Sequence, residues 1–387
     1  MFKNLARAFA RPSRRVRSIP FAPSKRSLAV NLLTALALLM AVPAAQAQVK
    51  PPLKVAFVYV SPIGDAGWTY QHEQGRIAMQ KALGDQVVTT VVEGVAEGPD
   101  SERVMRDLAA QGHRLIFATS FGYLEPALRV AADFPDVRIE HAGGYKTAPN
   151  LNTYDARYYE ARYLAGWLAG KSSPRGVAGY VAGFPIPEVV QGINAFTLGM
   201  LAANPKAEVR VLWLNAWFDP AREREAALTL INQGADVLTN HSGSPAVPQT
   251  AQAYFKDKGV QAVAYQSDMV KYAPDAQLGA VTLQWGAYYT RVARAVLAGT
   301  WRPQPVWGGM QDGLVELGAL GARVPADVRA GIEARRRAIV GGSLKPFAAP
   351  LTDNEGHVRL AQGALSDDAI GAMNWFVKGV TGSVPRP

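Results

Sequence analysis

The stretch KVAFVYVSPIGDAGWTYQHEQGRIAMQKAL, residues 54–83, decides the fold class of this chain. Its first part, 55–60, is an apolar run of β-branched and aromatic residues, which is typical of a buried parallel strand. Gly64 and Gly67 allow a tight turn, and the residues from about 68 to 83 have the pattern of a helix. A strand, a glycine-containing turn and a helix in succession predict an α/β protein.

The same alternation continues along the chain and predicts two lobes. Further strands are predicted at 87–92, 115–119, 137–139, 177–181, 209–214, 237–239, 261–265 and 280–283. Helices are predicted between them, at about 100–111, 123–132, 157–170, 187–203, 220–233, 247–257 and 285–299. The series restarts after a polar turn at 171–175, so we predict two parallel sheets, each flanked by helices. We place residues 53–155 and 285–305 in lobe 1, and residues 156–284 and 306–385 in lobe 2.

The composition excludes several classes of protein. The chain has 387 residues and no cysteine, which excludes disulfides, thiolate metal sites, a catalytic thiol and a lipid-modified cysteine. Its formal net charge is +10, but eight Lys or Arg residues and no acidic residue fall within residues 1–47. The remainder is nearly neutral, so the charge does not indicate a nucleic-acid partner.

Residues 1–47 have the pattern of a signal peptide. A basic region extends to about Arg26, an apolar run follows as far as Val42, and Ala45-Gln46-Ala47 is a small-x-small cleavage site. The apolar run is shorter than the ~20 residues that a membrane span needs. We therefore predict cleavage after Ala47, by either export route, and a periplasmic protein without a lipid anchor.

Candidate binding residues follow the predicted strands, because ligands of open α/β sheets bind beyond the carboxyl ends of the strands. The candidates are Asp65, Trp68, Thr69, Ser120, Phe121, Tyr154, Glu188, Trp217, Phe218, Asn240, Asp268 and Trp285. This set is rich in aromatic side chains and poor in Lys and Arg, so it does not suit a phosphate or a carboxylate ligand. It favours a planar heteroaromatic ligand that stacks between rings and contacts polar groups at its edge.

No enzyme motif is complete in this sequence. His72-Glu73 resembles the start of a zinc motif, but Arg76 stands where the second histidine would be. A phosphate-binding loop and a nucleophile elbow are absent as well. We predict a binding protein that needs no catalytic residue, metal or cofactor. A secreted nucleoside-processing enzyme and a ligand-sensing subunit of a membrane receptor are the alternatives.

Six segments of the chain resemble landmarks of one family, in the same order. They are DAGWT at 65–69, AGWLAG at 165–170, FPIPEV at 184–189, FDP at 218–220, QGADV at 233–237 and QSD at 266–268. Together they resemble the basic membrane protein family of ABC-importer solute-binding proteins, which includes purine nucleoside receptor lipoproteins. The resemblance covers nearly all of residues 53–320.

This resemblance implies a two-lobed type I periplasmic-binding fold that closes on a purine and docks on a permease in the inner membrane. We expect the protein to be a monomer. By position, Trp68 corresponds to a base-stacking Phe of the family, and Trp217 or Phe218 would cover the opposite face of the base. Asp268 corresponds to a ligand-contacting aspartate.

Two positions depart from the family pattern. Thr69 stands where the family has an Asn, and Trp285 stands where the family places a Lys near the ribose. The exchange of a cation for an indole favours a free purine base such as adenine over a nucleoside, because an indole offers one donor and no acceptor to the ribose hydroxyls.

Overall fold

The computed structural model of this protein describes residues 17, 18, 20 and 51–385. The predicted signal peptide, residues 1–47, therefore lies almost wholly outside the described residues. From residue 51 onward, strands and helices alternate and build two sheets with helices on their faces, which confirms the predicted fold class. Within this part of the chain, no helix combines the length and the apolar character that crossing a membrane requires.

Lobe 1 is built around a six-stranded parallel sheet. Its strands are β1 (Leu53–Val58), β2 (Val87–Val92), β3 (Leu115–Ala118), β4 (Arg138–Ala142), β5 (Leu151–Ala156) and, from a later part of the chain, β11 (Val306–Gly308). They are ordered β11-β5-β4-β3-β1-β2. The helices of this lobe are α1 (Gly67–Leu83), α2 (Pro99–Ala110), α3 (Leu124–Asp133) and α8 (Gly286–Leu297). The central strand β1 is buried from Val55 to Val58, which explains its unbroken apolar sequence.

Lobe 2 is built around a seven-stranded sheet. Its strands are β6 (Val177–Ala182), β7 (Glu208–Trp213), β8 (Val237–His241), β9 (Gln261–Gln266), β10 (Gln277–Leu283), β12 (Val315–Gly318) and β15 (Val380–Thr381). They are ordered β12-β10-β9-β8-β6-β7-β15, and only the β10–β12 pair is antiparallel. The helices of this lobe are α4 (Tyr158–Ser172), α5 (Pro187–Ala203), α6 (Pro220–Asn232), α7 (Ala246–Lys258), α9 (Ala326–Val340) and α10 (Asp367–Gly371). A small hairpin of β13 (Leu351–Thr352) and β14 (Val358–Leu360) precedes α10.

Helices α4 and α5 lie unusually close together because each places a glycine against the backbone of the other helix. A β-carbon at Gly166 would lie 1.8 Å from the carbonyl oxygen of Phe196, and one at Gly199 would lie 2.0 Å from that of Tyr163. Only glycine fits at these two contacts. The glycines of the AGWLAG segment and of α5 therefore have a packing role.

The chain passes between the lobes after β5, after β10 and after β11. Residues from 306 onward are predicted from the sequence to lie in lobe 2. In the structure, however, Val306–Gly308 pairs in parallel with the end of β5 and so belongs to the sheet of lobe 1. Three residues are too few to show a strand pattern, so this extra edge strand left no clear signal in the sequence.

Candidate ligand-binding site

A cavity lies between the lobes, beyond the carboxyl ends of the parallel strands. Lobe 1 lines it with Val60, Ser61, Trp68, Ser120, Phe121, Ala142 and Gly143, and lobe 2 lines it with Glu188, Trp217, Phe218, His241, Gly243 and Gln266. The structure thus brings together six of the residues that the sequence predicts for the site: Trp68, Ser120, Phe121, Glu188, Trp217 and Phe218.

Trp68 forms the wall of the cavity on lobe 1. It lies in the first turn of α1, and its indole Nε1 donates a hydrogen bond of 2.7 Å to the carbonyl oxygen of Thr119 at the end of β3. Its ring also meets the ring of His72 edge-on, with 4.3 Å between the ring centroids. These contacts within lobe 1 orient the indole, and the ring of Tyr158, at the start of α4 in lobe 2, also meets it edge-on, with 6.5 Å between the ring centroids.

Trp217 contributes an aromatic ring from lobe 2. It lies in the loop between β7 and α6, where the Asp219 side chain caps α6 by accepting from the Arg222 amide. The Trp217 carbonyl accepts a 2.8 Å hydrogen bond from the Gly243 amide. Gly183 leaves room for the indole, since a β-carbon there would lie 2.8 Å from the ring. The loop backbone is therefore shaped to present this ring to the cavity.

Gln266 combines three features that are typical of a ligand-contacting residue. It lines the cavity, and its backbone has a φ of +73°, which is strained for a residue other than glycine. Its side-chain Oε1 is buried and has no hydrogen-bond partner within the part of the chain that the structure describes. A buried acceptor without a partner is unfavourable unless a ligand supplies the donor.

Glu188 and His241 form a polar pair in the lining of lobe 2. The His241 Nε2 lies 3.1 Å from the Glu188 Oε1, and both residues lie near the buried guanidinium of Arg162. Burial raises the pKa of Glu188 to about 7, and the positive charge of Arg162 opposes this shift. Burial lowers the pKa of His241 well below its ordinary value, and the Arg162 charge lowers it further. The imidazole is therefore neutral at pH 7.

A second carboxyl group approaches Glu188 from lobe 1. Asp155 lies at the end of β5, where its Oδ1 accepts from the Ala156 amide at 2.8 Å. Burial raises the pKa of Asp155 well above its ordinary value, and the negative charge of Glu188 raises it further. Contact between the lobes therefore brings two carboxyl groups together, and this arrangement favours the protonated form.

Two predicted carboxylate residues lie outside the cavity lining. Asp65 lies at the rim, where it accepts from Lys271 and Tyr272 of lobe 2. Asp268 is exposed, and its Oδ1 accepts from the Val270 amide at 3.0 Å and from the Gln277 amide group at 2.7 Å. The structure thus gives Asp65 a contact between the lobes and gives Asp268 a local structural role, in place of the predicted ligand contacts.

Four further predicted residues are buried behind the lining. Thr69 is hydrogen-bonded to the Ser61 hydroxyl at 2.7 Å, and Tyr154 is hydrogen-bonded to the Tyr289 hydroxyl at 2.9 Å. The Asn240 amide donates to the Ser242 carbonyl at 2.9 Å. Trp285 is only 1% exposed and packs parallel to His72, with 5.3 Å between the ring centroids. Trp285 therefore belongs to the core of lobe 1 and does not replace a ribose-facing lysine.

Three residues of lobe 2 that line the cavity are not among the candidates predicted from the sequence: His241, Gly243 and Gln266. All three lie within two residues of positions that it selected or within the same strand-end segments. The strands β8 and β9 extend to His241 and Gln266, whereas the predicted strands end at 239 and 265. Extending the two predicted strands to these residues would have included His241 and Gln266, which line the cavity.

The two lobes meet closely at Gly67. Its amide donates a 2.7 Å hydrogen bond to the Ser267 hydroxyl, and a β-carbon at this position would lie 2.0 Å from the Gly243 carbonyl oxygen. We expect Gly67→Ala to prevent this contact between the lobes and to weaken ligand binding at least about tenfold. Calorimetric titration of the folded variant measures the effect.

Gly64→Ala provides the matched control for this prediction. Gly64 also has a positive φ, of +54°, but a β-carbon there meets nothing within 4 Å. The control shares the backbone strain of Gly67→Ala and lacks its clash, so its ligand affinity should stay close to that of the wild type. Equal affinity in both variants would show that closure does not depend on the Gly67 contact.

The fold and the cavity together define a two-lobed solute-binding protein. Residues 53–338 match the family model described as ABC transporter substrate-binding protein, PnrA-like, and the chain belongs to this family. It is 48% identical to a purine-binding protein of Brucella abortus over 88% of this chain and 96% of that protein. It is 38% identical to a putative ABC transporter glucose-binding protein of Haloferax volcanii, over 86% of this chain and 81% of that protein.

Solved structures support the same architecture. An ABC transporter solute-binding protein from Aeropyrum pernix superposes with a TM-score of 0.67 at 18% identity, covering 77% of this chain and 94% of that chain. One from Conexibacter woesei gives a TM-score of 0.61 at 23% identity, covering 76% and 98%. These neighbours show the fold, while the ligand has to be inferred from the cavity.

Proposed function

We propose that this protein binds a purine, with adenine as the preferred ligand, in the cavity between its lobes. The observation that carries this proposal is that two indole rings from different lobes, Trp68 and Trp217, line one cavity. Aromatic rings on opposite lobes suit a flat heteroaromatic ligand, since each face of the ligand gains stacking and burial. The Brucella relative, named a purine-binding protein, supports the same ligand class.

The polar groups of the lining match the edge of a purine. Gln266 supplies a buried acceptor for a ring N–H or an exocyclic amine. Glu188 adds a carboxyl group that donates when protonated and accepts in either form. A purine carries donors and acceptors side by side, so it can satisfy both groups without adding a net charge to the cavity.

A ribose meets no uncommitted hydroxyl group in the cavity lining that the structure describes. The two hydroxyl groups of the lining belong to Ser61 and Ser120, and both have protein partners. Ser61 is hydrogen-bonded to Thr69 at 2.7 Å, and Ser120 donates to Glu97 at 2.6 Å. Burying a ribose hydroxyl without a partner costs about 1–3 kcal/mol. We therefore expect adenine to bind at least about tenfold more tightly than adenosine, for a reason that does not involve Trp285.

Side-by-side calorimetric titration with adenine, adenosine and glucose tests the proposal. Adenine binding that exceeds adenosine binding supports the full proposal, and equal or tighter adenosine binding leaves a purine receptor without base preference. Glucose binding in the absence of purine binding contradicts the purine assignment and agrees with the name of the Haloferax relative. Chromatography of adenosine after incubation distinguishes binding from turnover.

We further propose that the protein acts as a monomer in the periplasm and delivers its ligand to an ABC permease in the inner membrane. The family match and the signal-peptide pattern of residues 1–47 support this placement. Ligand contacts on both lobes stabilise the closed form over the open form, so closure reports occupancy to the permease.

A further inference from the structure

The carboxylate of Glu97 is held by hydrogen bonds within lobe 1. It lies in the loop between β2 and α2, and its Oε1 accepts a 2.6 Å hydrogen bond from the Ser120 hydroxyl and a 2.8 Å hydrogen bond from the Gly122 amide. A β-carbon at Gly122 would lie 2.4 Å from the Glu97 carboxyl carbon, so a side chain there would displace the carboxylate from this position. Ser120, predicted to contact the ligand, uses its hydroxyl here to hold Glu97.

The same carboxylate oxygen reaches lobe 2. The Trp217 indole Nε1 donates to the Glu97 Oε1 at 3.2 Å, although the two residues lie on different lobes. Trp68 differs in this respect, because its indole N–H is bonded to Thr119 within its own lobe. Of the two indoles that line the cavity, only Trp217 therefore depends on contact between the lobes for its hydrogen bond.

We propose that Glu97 is a positioning residue that holds the Trp217 ring over the ligand in the closed form. This inference rests on the proposed function. When the lobes separate, the carboxylate keeps its bonds to Ser120 and Gly122, while the indole N–H returns to water. Because the acceptor is already ordered, the Glu97–Trp217 bond forms only on closure and stabilises the closed form. Its loss should mainly accelerate ligand release.

The experiment compares adenine dissociation rates, by stopped flow, in Glu97→Ala, Glu97→Gln and Glu93→Ala. We expect Glu97→Ala to release adenine about tenfold faster than the wild type, as for loss of a hydrogen bond to a charged group. Glu97→Gln keeps a side-chain carbonyl and should restore much of the wild-type rate. Glu93 is the matched control, since it lies in the same loop and, among residues 51–385, accepts a hydrogen bond only from the Ile63 amide of its own lobe, at 2.7 Å.

A double-mutant cycle separates the proposed bond from a general loss of structure. Trp217→Phe keeps an aromatic ring and removes the N–H donor, so adding Glu97→Ala to it should not accelerate release further. Additive effects, or a wild-type rate in Glu97→Ala, would overturn the inference. Circular dichroism establishes that each variant is folded.

A second measurement keeps this inference separate from the choice of ligand. If the wild type binds no adenine, the proposed function fails, and the bond is then tested by NMR hydrogen exchange of the Trp217 indole N–H in protein saturated with adenosine or glucose, whichever of the two the titration shows to bind and close the lobes. Slower exchange in the wild type than in Glu97→Ala supports the bond. Equal exchange in the two proteins overturns it.

Discussion

Replacing Trp217 with alanine is expected to weaken adenine binding by about 2–4 kcal/mol, which is about 30- to 1000-fold in affinity. The indole lines the cavity from lobe 2, and truncation removes both its stacking with the base and the apolar area that the ligand buries. Trp217→Phe should lose much less, because a smaller ring still covers the base. Isothermal titration of each folded variant measures the change.

Trp68→Ala is expected to weaken binding by a similar amount, with an additional loss of stability because Trp68 also packs on His72. Trp375→Ala is the control for removing a partly buried indole. Trp375 lies beside the Arg359 guanidinium, 5.3 Å from its ring centroid, and is not part of the cavity lining. Near-wild-type affinity in both Trp68→Ala and Trp217→Ala would rule out stacking between the two rings.

The α/β class and most of the elements could be predicted from the sequence, because buried parallel strands carry continuous β-branched runs. The strand β5 was harder to recognise. Its sequence, LNTYDA, contains few β-branched residues. The polar Asn152 can be buried within it because its side chain donates to the Glu140 carboxylate at 3.0 Å inside the lobe. Such a partner is distant in sequence, so a local pattern cannot reveal it.

The sequence predicted the aromatic side chains of the cavity lining better than its polar side chains. Trp68 and Trp217 both line the cavity, whereas Trp285, two residues after β10, is buried in the core of lobe 1. For the polar residues, Asn240 and Asp268 were selected in place of His241 and Gln266. Neighbouring residues of an extended segment point in opposite directions, so an error of one residue at the end of β8 selects Asn240 and not the cavity-lining His241. Asp268 lies two residues beyond Gln266 and outside β9, so this alternation does not account for it.

Trp285 shows where a family resemblance was misleading. The order of the six segments gave the correct family, but it did not fix the register at the end of β10. The structure places Trp285 immediately before α8, stacked on His72 and shielded from the cavity. The expected preference for a free base now rests on the occupied hydroxyl groups of Ser61 and Ser120, and no longer on a missing lysine.

Glu188→Gln is expected to raise the free energy of unfolding by about 3 kcal/mol at pH 8 or above. Burial raises the pKa of Glu188 from its ordinary value of 4.5 to about 7, so the folded protein binds this proton more tightly than the unfolded chain does. Stability from this group is fully present below pH 4.5 and is lost as the pH rises through 7. A shift of this size corresponds to about 3 kcal/mol, and glutamine avoids it because it has no proton to lose.

Urea unfolding at a series of pH values tests this expectation, with Glu225→Gln as the control on the exposed face of α6. The stability difference between Glu188→Gln and the wild type should vanish near pH 4.5, where both carry a neutral side chain at position 188, and grow between pH 5 and 8. The control should show no such growth. If Glu188→Gln were instead less stable at pH 8, the ionised carboxylate would be stabilised by Arg162 more than burial disfavours it. The carboxyl group would then meet the ligand as a pure acceptor at neutral pH, and it would select for ligands that present two adjacent donors.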